Sequence, residues 1–392
     1  MRNLHAETDL IHGLDGVTTI WDPVDKAEVS STSGQGKRAL VIRHLKMLEN
    51  GPLHSHKRRG GHAGTVGFLQ RHGTCWFNSL LHALFMSDLG NKLMRGLYAD
   101  WVLGIRAGKD MRRARLLQHF RFMVDLTAVD PQLLLTKPMD PAPVINRLHR
   151  YSAAEFPNIG RNHGYIYDRY IKELLSFLGV PKQRILYVNV HGGDYCGRLD
   201  DRIAPLMERR KSVPLIILVS QPAEKYNGGG EICTPNKATW KKHTFVLDAC
   251  MLASRYKQDG HAIAGITCDG KQYLLDSNVA SASKTYDPVK HAHMRVVPYD
   301  WRTSAKQVST LTMPGKMLWS GARNDKLAIY YNREILDNVY SAGKHAAEVW
   351  LAHMDKYMAD ADDADQVRPP SVVRAELQSR MKSAFTVNLR SF

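Results

Sequence analysis

Residues 69–86 read LQRHGTCWFNSLLHALFM, and the rest of the chain is organised around them. Gly73 permits a sharp turn before the stretch becomes helical. Thr74 is a residue type favoured at a helix N-cap. Cys75 then falls on the first turn. Phe77, Leu80, Leu81, Leu84 and Phe85 recur at the spacing of a buried helical face. A thiolate is the nucleophilic form of cysteine, and the positive end of a helix dipole favours that form. The Cys75 backbone N–H is one of the first-turn donors that a helix leaves without an internal partner, so it can serve an oxyanion. Gln70 offers a second donor through its side-chain amide. A cysteine opening an apolar helix can equally be plain core, because free cysteines are among the most buried residues. A catalytic reading needs a partner elsewhere in the chain.

Residues 260–278, GHAIAGITCDGKQYLLDSN, supply one. His261 opens a strand pattern, and Asp269-Gly270 is a strong hairpin turn. The return strand runs from Lys271 to Leu275 and ends in Asp276. Residues near the two open ends of an antiparallel pair lie side by side, which makes His261 and Asp276 candidate neighbours. A carboxylate beside an imidazole fixes its tautomer and steadies the imidazolium. Cysteine, then histidine, then Asp or Asn is the chain order of many thiol peptidases. His243 and His54 are also available as histidines, but nothing in their surroundings argues for catalysis.

The stretch GTCWFNSLLHALF (73–85) resembles the cysteine box of papain-like peptidases, most closely the ubiquitin-specific protease family. HAIAGITCDGKQYLLDSNVAS (261–281) resembles that family's histidine box: His, an apolar strand, a Gly-Lys turn, an aromatic, then Asp and a following Val. The two boxes are also similar to peptidase-like proteins of large cytoplasmic DNA viruses. The resemblance implies an α+β, papain-like fold with a helical half carrying the catalytic cysteine and an antiparallel-sheet half carrying His and Asp. It implies Cys75 as nucleophile, His261 as general base, Asp276 as its orienter, Gln70 as the oxyanion-hole amide and Asn278 as an auxiliary polar residue, with no metal and no cofactor. The residues between the boxes do not match, and the family's usual zinc-binding cysteine pairs are absent. A transglutaminase-like chain shares the GxCW motif and the Cys-His-Asp order, but the residues after Cys75 fit the peptidase box better.

The implied function is a thiol peptidase or isopeptidase, deubiquitinase-like, acting on a protein substrate that is ubiquitin-like or viral. The competing reading is a structural, virion-associated adaptor that uses a peptidase-like fold near nucleic acid. Composition bears on both. The chain has 392 residues, 44% of them hydrophobic, and a net charge of +16. Its pI is near 9.6. Such charge favours an acidic partner: nucleic acid, an anionic membrane surface or an acidic protein. The five cysteines are odd in number, far apart and without a CxxC pair, which argues against a disulfide framework and a zinc ribbon. MRNLHAETDL lacks the apolar core of a signal peptide. The longest apolar run, Val213 to Val219, is too short to span a bilayer. The expected location is therefore cytoplasmic or virion-associated, not secreted.

Along the chain, residues 1–66 read as a flexible arm, 67–358 as the peptidase domain, and 359–392 as a linker and C-terminal helical tail. The cysteine helix is expected to run to about Gly90, with further helices over Asn91–Leu103 and Met111–Val124. Arg106, Lys109, Arg112, Arg113 and Arg115 cluster at the start of the latter, as a solvated face or a phosphate or acidic-protein contact. Pro131–Pro157 reads as irregular apart from a turn or two around Val144–Arg150. Tyr167–Leu178 reads as a helix stopped by Gly179. Strands over Ile185–Val190 and Val213–Ser220 flank a helix over Asp200–Arg210 whose start Pro205 would delay; this order predicts a parallel pair. Gln221–Trp240 reads as loop, and Thr244–Leu252, Ala262–Thr267 and Lys271–Leu275 as antiparallel strands. Helical patterns return at Asp325–Tyr340, Lys344–Met358 and Val372–Phe385.

Overall fold

Antiparallel and parallel signals both lead into one sheet. The structure is a computed structural model and describes residues 19–22, 27–30, 74–103, 112–113, 116–117, 120, 141–157, 167–190, 199–221, 235–254, 261–268, 270–276, 295–298, 324–360 and 371–385. The first described elements are β1 (Thr19–Asp22) and β2 (Ala27–Ser30), which pair antiparallel. Helices α1 (Cys75–Phe85), α2 (Asp88–Leu103), α3 (Ala142–Tyr151) and α4 (Tyr167–Leu178) follow. Gly179 ends α4 with φ of 121°, a conformation that costs glycine little. Next come β3 (Ile185–Asn189), α5 (Leu199–Glu208) and β4 (Ile216–Gln221). Strands β5 (Lys237–Trp240), β6 (His243–Ser254), β7 (His261–Cys268), β8 (Lys271–Asp276), β9 (Arg295–Pro298) and β10 (Asn324–Asn332) precede α6 (Arg333–Asp360) and α7 (Ser371–Ala384).

The large sheet has the order β3-β4-β10-β6-β7-β8-β9, with β5 paired to the start of β6. β3 and β4 are parallel, as the strand–helix–strand order predicts, and the other pairs are antiparallel. The architecture is α+β.

Helix α1 lies at the heart of the molecule. All eleven of its residues are buried, the condition of a helix enclosed on every side. It packs against β7, β6 and β8 on the sheet and against α2. On its helical side, the Tyr170 ring meets Trp76 at 4.9 Å and Phe77 at 5.9 Å, both edge-on. Phe156 and Phe177 extend that aromatic cluster. Each such side chain, fully buried, contributes about 1.5–3 kcal/mol. The polar residues of α1 need local partners: Ser79 Oγ donates to the Cys75 carbonyl at 2.8 Å.

Helices α2 and α6 cross at backbone contact. A Cβ placed on Gly343 would stand 2.2 Å from the Gly96 carbonyl oxygen. Arg95, buried beside Gly96, hydrogen-bonds Tyr340, and burial lowers its pKa to about 10.

Several sequence expectations are corrected. Asp325–Tyr331 reads as helix but forms β10, the strand between β4 and β6, where Leu327, Ile329, Tyr330 and Tyr331 are buried; only from Arg333 is the chain helical. The cysteine helix ends at Phe85, not near Gly90, and a second helix starts at Asp88. Pro205 lies inside α5 instead of delaying it; burial of Leu199, Ile203 and Met207 along one face outweighs the missing N–H. The span read as loop up to Trp240 contains β5. Pro131–Pro157 holds the ten-residue α3 rather than a turn or two. The N-terminal arm contains the β1–β2 hairpin.

Candidate active site

Cys75 is the first residue of α1 and is 7% exposed. Thr74 stands at the N-cap but makes no side-chain cap bond. Its φ of −81° and ψ of 9° differ from the extended backbone that aims a capping hydroxyl at the first-turn amides. The expected Thr74 side-chain cap is therefore not formed, while the Thr74 carbonyl accepts the first helical hydrogen bond from Asn78 N–H at 2.9 Å.

His261 is the first residue of β7 and Asp276 the last of β8. In the register, His261 pairs with Ser254 of β6, and Asp276 with Arg295 of β9. The β7–β8 ladder pairs Ala264 with Leu275 and Cys268 with Lys271. Continued by one step, that ladder sets Asp276 opposite Ile263, so His261 is its diagonal neighbour, a spacing of about 7–8 Å between strand positions. The hairpin turns at Gly270, whose φ of 70° favours glycine. Gln70 and Asn278 lie outside the described residues.

The direction of α1 follows from two ties at its far end. Asp88, just past α1, accepts a hydrogen bond through Oδ2 from Gly270 N–H at the hairpin tip, at 3.2 Å. Asp248 of β6 accepts through Oδ2 from Leu89 N–H at 3.0 Å and Gly90 N–H at 2.9 Å. Asp248 is one residue before the Ala249–Ile266 pair, hence also toward the tip. The C-terminal end of α1 is thus held near the hairpin tip while its body packs along β7. An eleven-residue helix is about 16 Å long, and β7 is about 23 Å long. The Cys75 end of α1 accordingly points toward the open end of the hairpin, where β7 begins at His261 and β8 ends at Asp276.

His243 stands elsewhere. It begins β6, at the opposite end of that strand from Ser254, the register partner of His261. It is buried, its ring stacks on Trp240 at 6.0 Å, and Nδ1 lies 3.7 Å from Glu334 Oε2. Burial, aided by the Lys242 and Lys241 charges and opposed by Glu334, lowers its pKa below the usual value. Cys250 and Cys268 are free thiols buried within β6 and β7; Cys196 and Cys233 are outside the described residues.

Sequence reading missed Asp248, Ser87 and Arg295. A single Asp in the apolar run FVLDACML was the available signal for the first. Arg106, Lys109 and Arg115 of the basic cluster lie outside the described residues; Arg113 Nη2 donates to the Phe177 carbonyl at 2.7 Å, near the end of α4, and its guanidinium lies over the Phe177 ring.

No family model matches the sequence, and no curated protein matches it. Among solved structures, a crystal structure of an essential yeast splicing factor is similar, with a TM-score of 0.42 and 9% identity, over 83% of this chain and 88% of that one. A likeness of that strength carries nothing over to the chemistry of this chain. Among the described residues, no helix is long and apolar enough to cross a membrane.

Proposed function

We propose that the chain is a papain-like thiol peptidase or isopeptidase, resembling ubiquitin-specific proteases, with Cys75, His261 and Asp276 as its triad. One observation carries the reading. The Cys75 helix is buried along β7 and tied at its far end to the hairpin tip, so the cysteine end is directed to where His261 and Asp276 stand in the strands. In the proposed reaction the Cys75 thiolate attacks a substrate carbonyl carbon and the C–N bond breaks as a thioester forms. His261 takes the thiol proton and delivers it to the leaving amine; water then hydrolyses the thioester. Asp276 holds the imidazole in its working tautomer. Gln70 and the Cys75 N–H are assigned to the oxyanion. The substrate is a protein, ubiquitin-like or viral. The tail of ubiquitin is basic and so is this chain, which disfavours charge-steered encounter with ubiquitin itself.

The test is selective alkylation of the folded protein by a mild electrophile, followed by peptide mapping. Cys75 labels ahead of the other four cysteines, and His261→Ala slows that labelling near neutral pH. Equal labelling of all five, unchanged by His261→Ala, leaves the adaptor reading, in which the basic surface contacts nucleic acid or an acidic virion component. A second arm measures retention on nucleic acid against salt: a steep salt dependence supports that contact.

A further inference from the structure

Four strands of the large sheet share one end. β3 and β4 begin there, with Ile185 opposite Ile216 in parallel register. β10 ends there, with Tyr331 opposite Ile216 and Asn332 opposite Phe245, and β6 begins there at His243. The segments entering and leaving these ends touch one another in turn. Leu215 N–H donates to the Arg184 carbonyl at 2.8 Å, and Asn332 N–H to the Leu215 carbonyl at 2.8 Å. Glu334, just past Asn332, lies 3.7 Å from His243. Lys241 and Lys242 precede His243 in the turn from β5. At about 4.8 Å from strand to strand, β3, β4, β10 and β6 form a continuous rim about 14 Å long.

The rim is basic. Lys182, Arg209, Lys211, Lys241, Lys242 and Arg333 are exposed along it. Arg184 is buried and Arg210 half-buried at the β3–β4 end. Arg184 Nη1 donates to the Val213 carbonyl at 2.7 Å, and Arg210 Nη2 to the Gln183 carbonyl. Among the described residues no carboxylate pairs with either guanidinium. Burial, then the Arg210 charge, lowers the Arg184 pKa. Two guanidiniums this close, held by carbonyls and not by a counter-charge, make a field that favours an incoming anion. The neighbouring acids Glu155 and Glu173 are engaged by Lys182, at 3.7 Å and 2.7 Å.

Phosphodiester fits this band. Arginine pairs with phosphate in a fork geometry, and lysine meets it as a point charge. A nucleic-acid strand carries one charge per about 3.4 Å, so about four phosphates span the rim. A protein partner fits less well. Protein interfaces are depleted in lysine and centre on apolar or aromatic anchors. Trp240, the aromatic at the surface here, is already flanked by the His243 ring and by Lys241 Nζ, 4.8 Å from its centroid.

We propose that this rim is a nucleic-acid contact surface. The phosphate backbone of a strand lies across the ends of β3, β4, β10 and β6, with Arg184 and Arg210 at one end of its track and Lys241 and Lys242 at the other. The candidate triad is remote from it: the 12 residues of β6 run about 37 Å from His243 at the rim to Ser254, the register partner of His261. Nucleic acid on the rim therefore leaves the Cys75 end of α1 uncovered, and the assignment does not rest on the peptidase reading.

The probe is a dye-labelled single-stranded RNA of about 20 nucleotides, read by anisotropy at salt from about 50 to 200 mM. Lys211→Gln combined with Arg333→Gln removes two exposed rim cations; Arg380→Gln combined with Lys382→Gln removes the same charge from exposed positions on α7. Wild type is expected to bind with an affinity that falls steeply with salt. The log–log slope of the rim variant is expected to be shallower by about 1.4, from two single-strand phosphate contacts at about 0.7 each, while the α7 variant follows wild type. No binding at low salt overturns the proposal, and so does an equal change in the two variants. Polyglutamate of matched charge competing as well as unlabelled RNA also overturns it, because the rim is then a surface for acidic proteins. Cys75 alkylation enters none of these readouts, so the rim and the peptidase reading can each fail without the other.

Discussion

The two ends of the β7–β8 hairpin are built for different work. At the tip, Gly270, Asp88, Ser87, Gly90 and Asp248 are joined by backbone and side-chain hydrogen bonds. At the open end, the strands begin with His261 and finish with Asp276, and the cysteine end of α1 is directed there. One end fixes a geometry. The other is where β7 begins at His261, β8 ends at Asp276 and the cysteine end of α1 is directed. The contrast teaches how a corner can fix the far end of the same helix: α1 is buried on every side, so constraining one end constrains the other.

That contrast can be broken from the open end first. Under the peptidase proposal, Cys75→Ala removes hydrolysis of a peptide or isopeptide substrate by at least about 10³-fold and leaves thermal unfolding nearly unchanged, because it deletes a single sulfur. A turnover assay paired with calorimetry reads both. His261→Ala is expected to lower turnover by about 10²–10⁴-fold, again with little loss of stability.

Changes at the tip are expected to do the reverse. Gly90→Ala forces a methyl against Ser87 Oγ and two carbonyl oxygens of α1, and is expected to cost about 1–3 kcal/mol in urea unfolding. His243, beyond the tip, sharpens the comparison through pH. Its pKa is lowered in the folded protein, so the unfolded chain binds more protons once pH falls through about 6.5. The stability that His243 contributes is present above that value and is lost as pH falls toward the lowered one. His243→Gln should remove that part of the acid sensitivity and leave Cys75 labelling unchanged. The smallest effect belongs to Gly270→Ala. No atom lies within 4 Å of the new Cβ, so only the left-handed backbone is strained, at about 1 kcal/mol.

Part of this architecture was legible before any fold was known. The apolar periodicity after Cys75, the Asp269-Gly270 turn and the Gly179 stop are local signals, and each depends on backbone preference or on one face of one element. The order Ile185–Val190, helix, Val213–Ser220 pointed to the parallel pair seen in β3 and β4. The candidate triad could be named because His261 and Asp276 flank a single short hairpin, where register follows from the turn. The basic cluster around Arg113 was legible as charge but not as a contact with Phe177.

What the sequence alone determined about this protein is thus its short-range grammar: a buried helix opened by cysteine, a tight hairpin bounded by His and Asp, and a chain rich in positive charge. Only the tertiary structure decided that LAIYY of β10 is a strand. Its apolar residues suit a helix face as well as a sheet, and the choice was made by the open hydrogen-bonding edges of β4 and β6 on either side. The tertiary structure likewise decided that Pro205 is tolerated inside α5, where burial of one face outweighs a lost bond. It also brought Asp248 to the start of α2, where a bulge of β6 and the corner after α1 place its carboxyl on the Leu89 and Gly90 N–H groups, far from it in sequence.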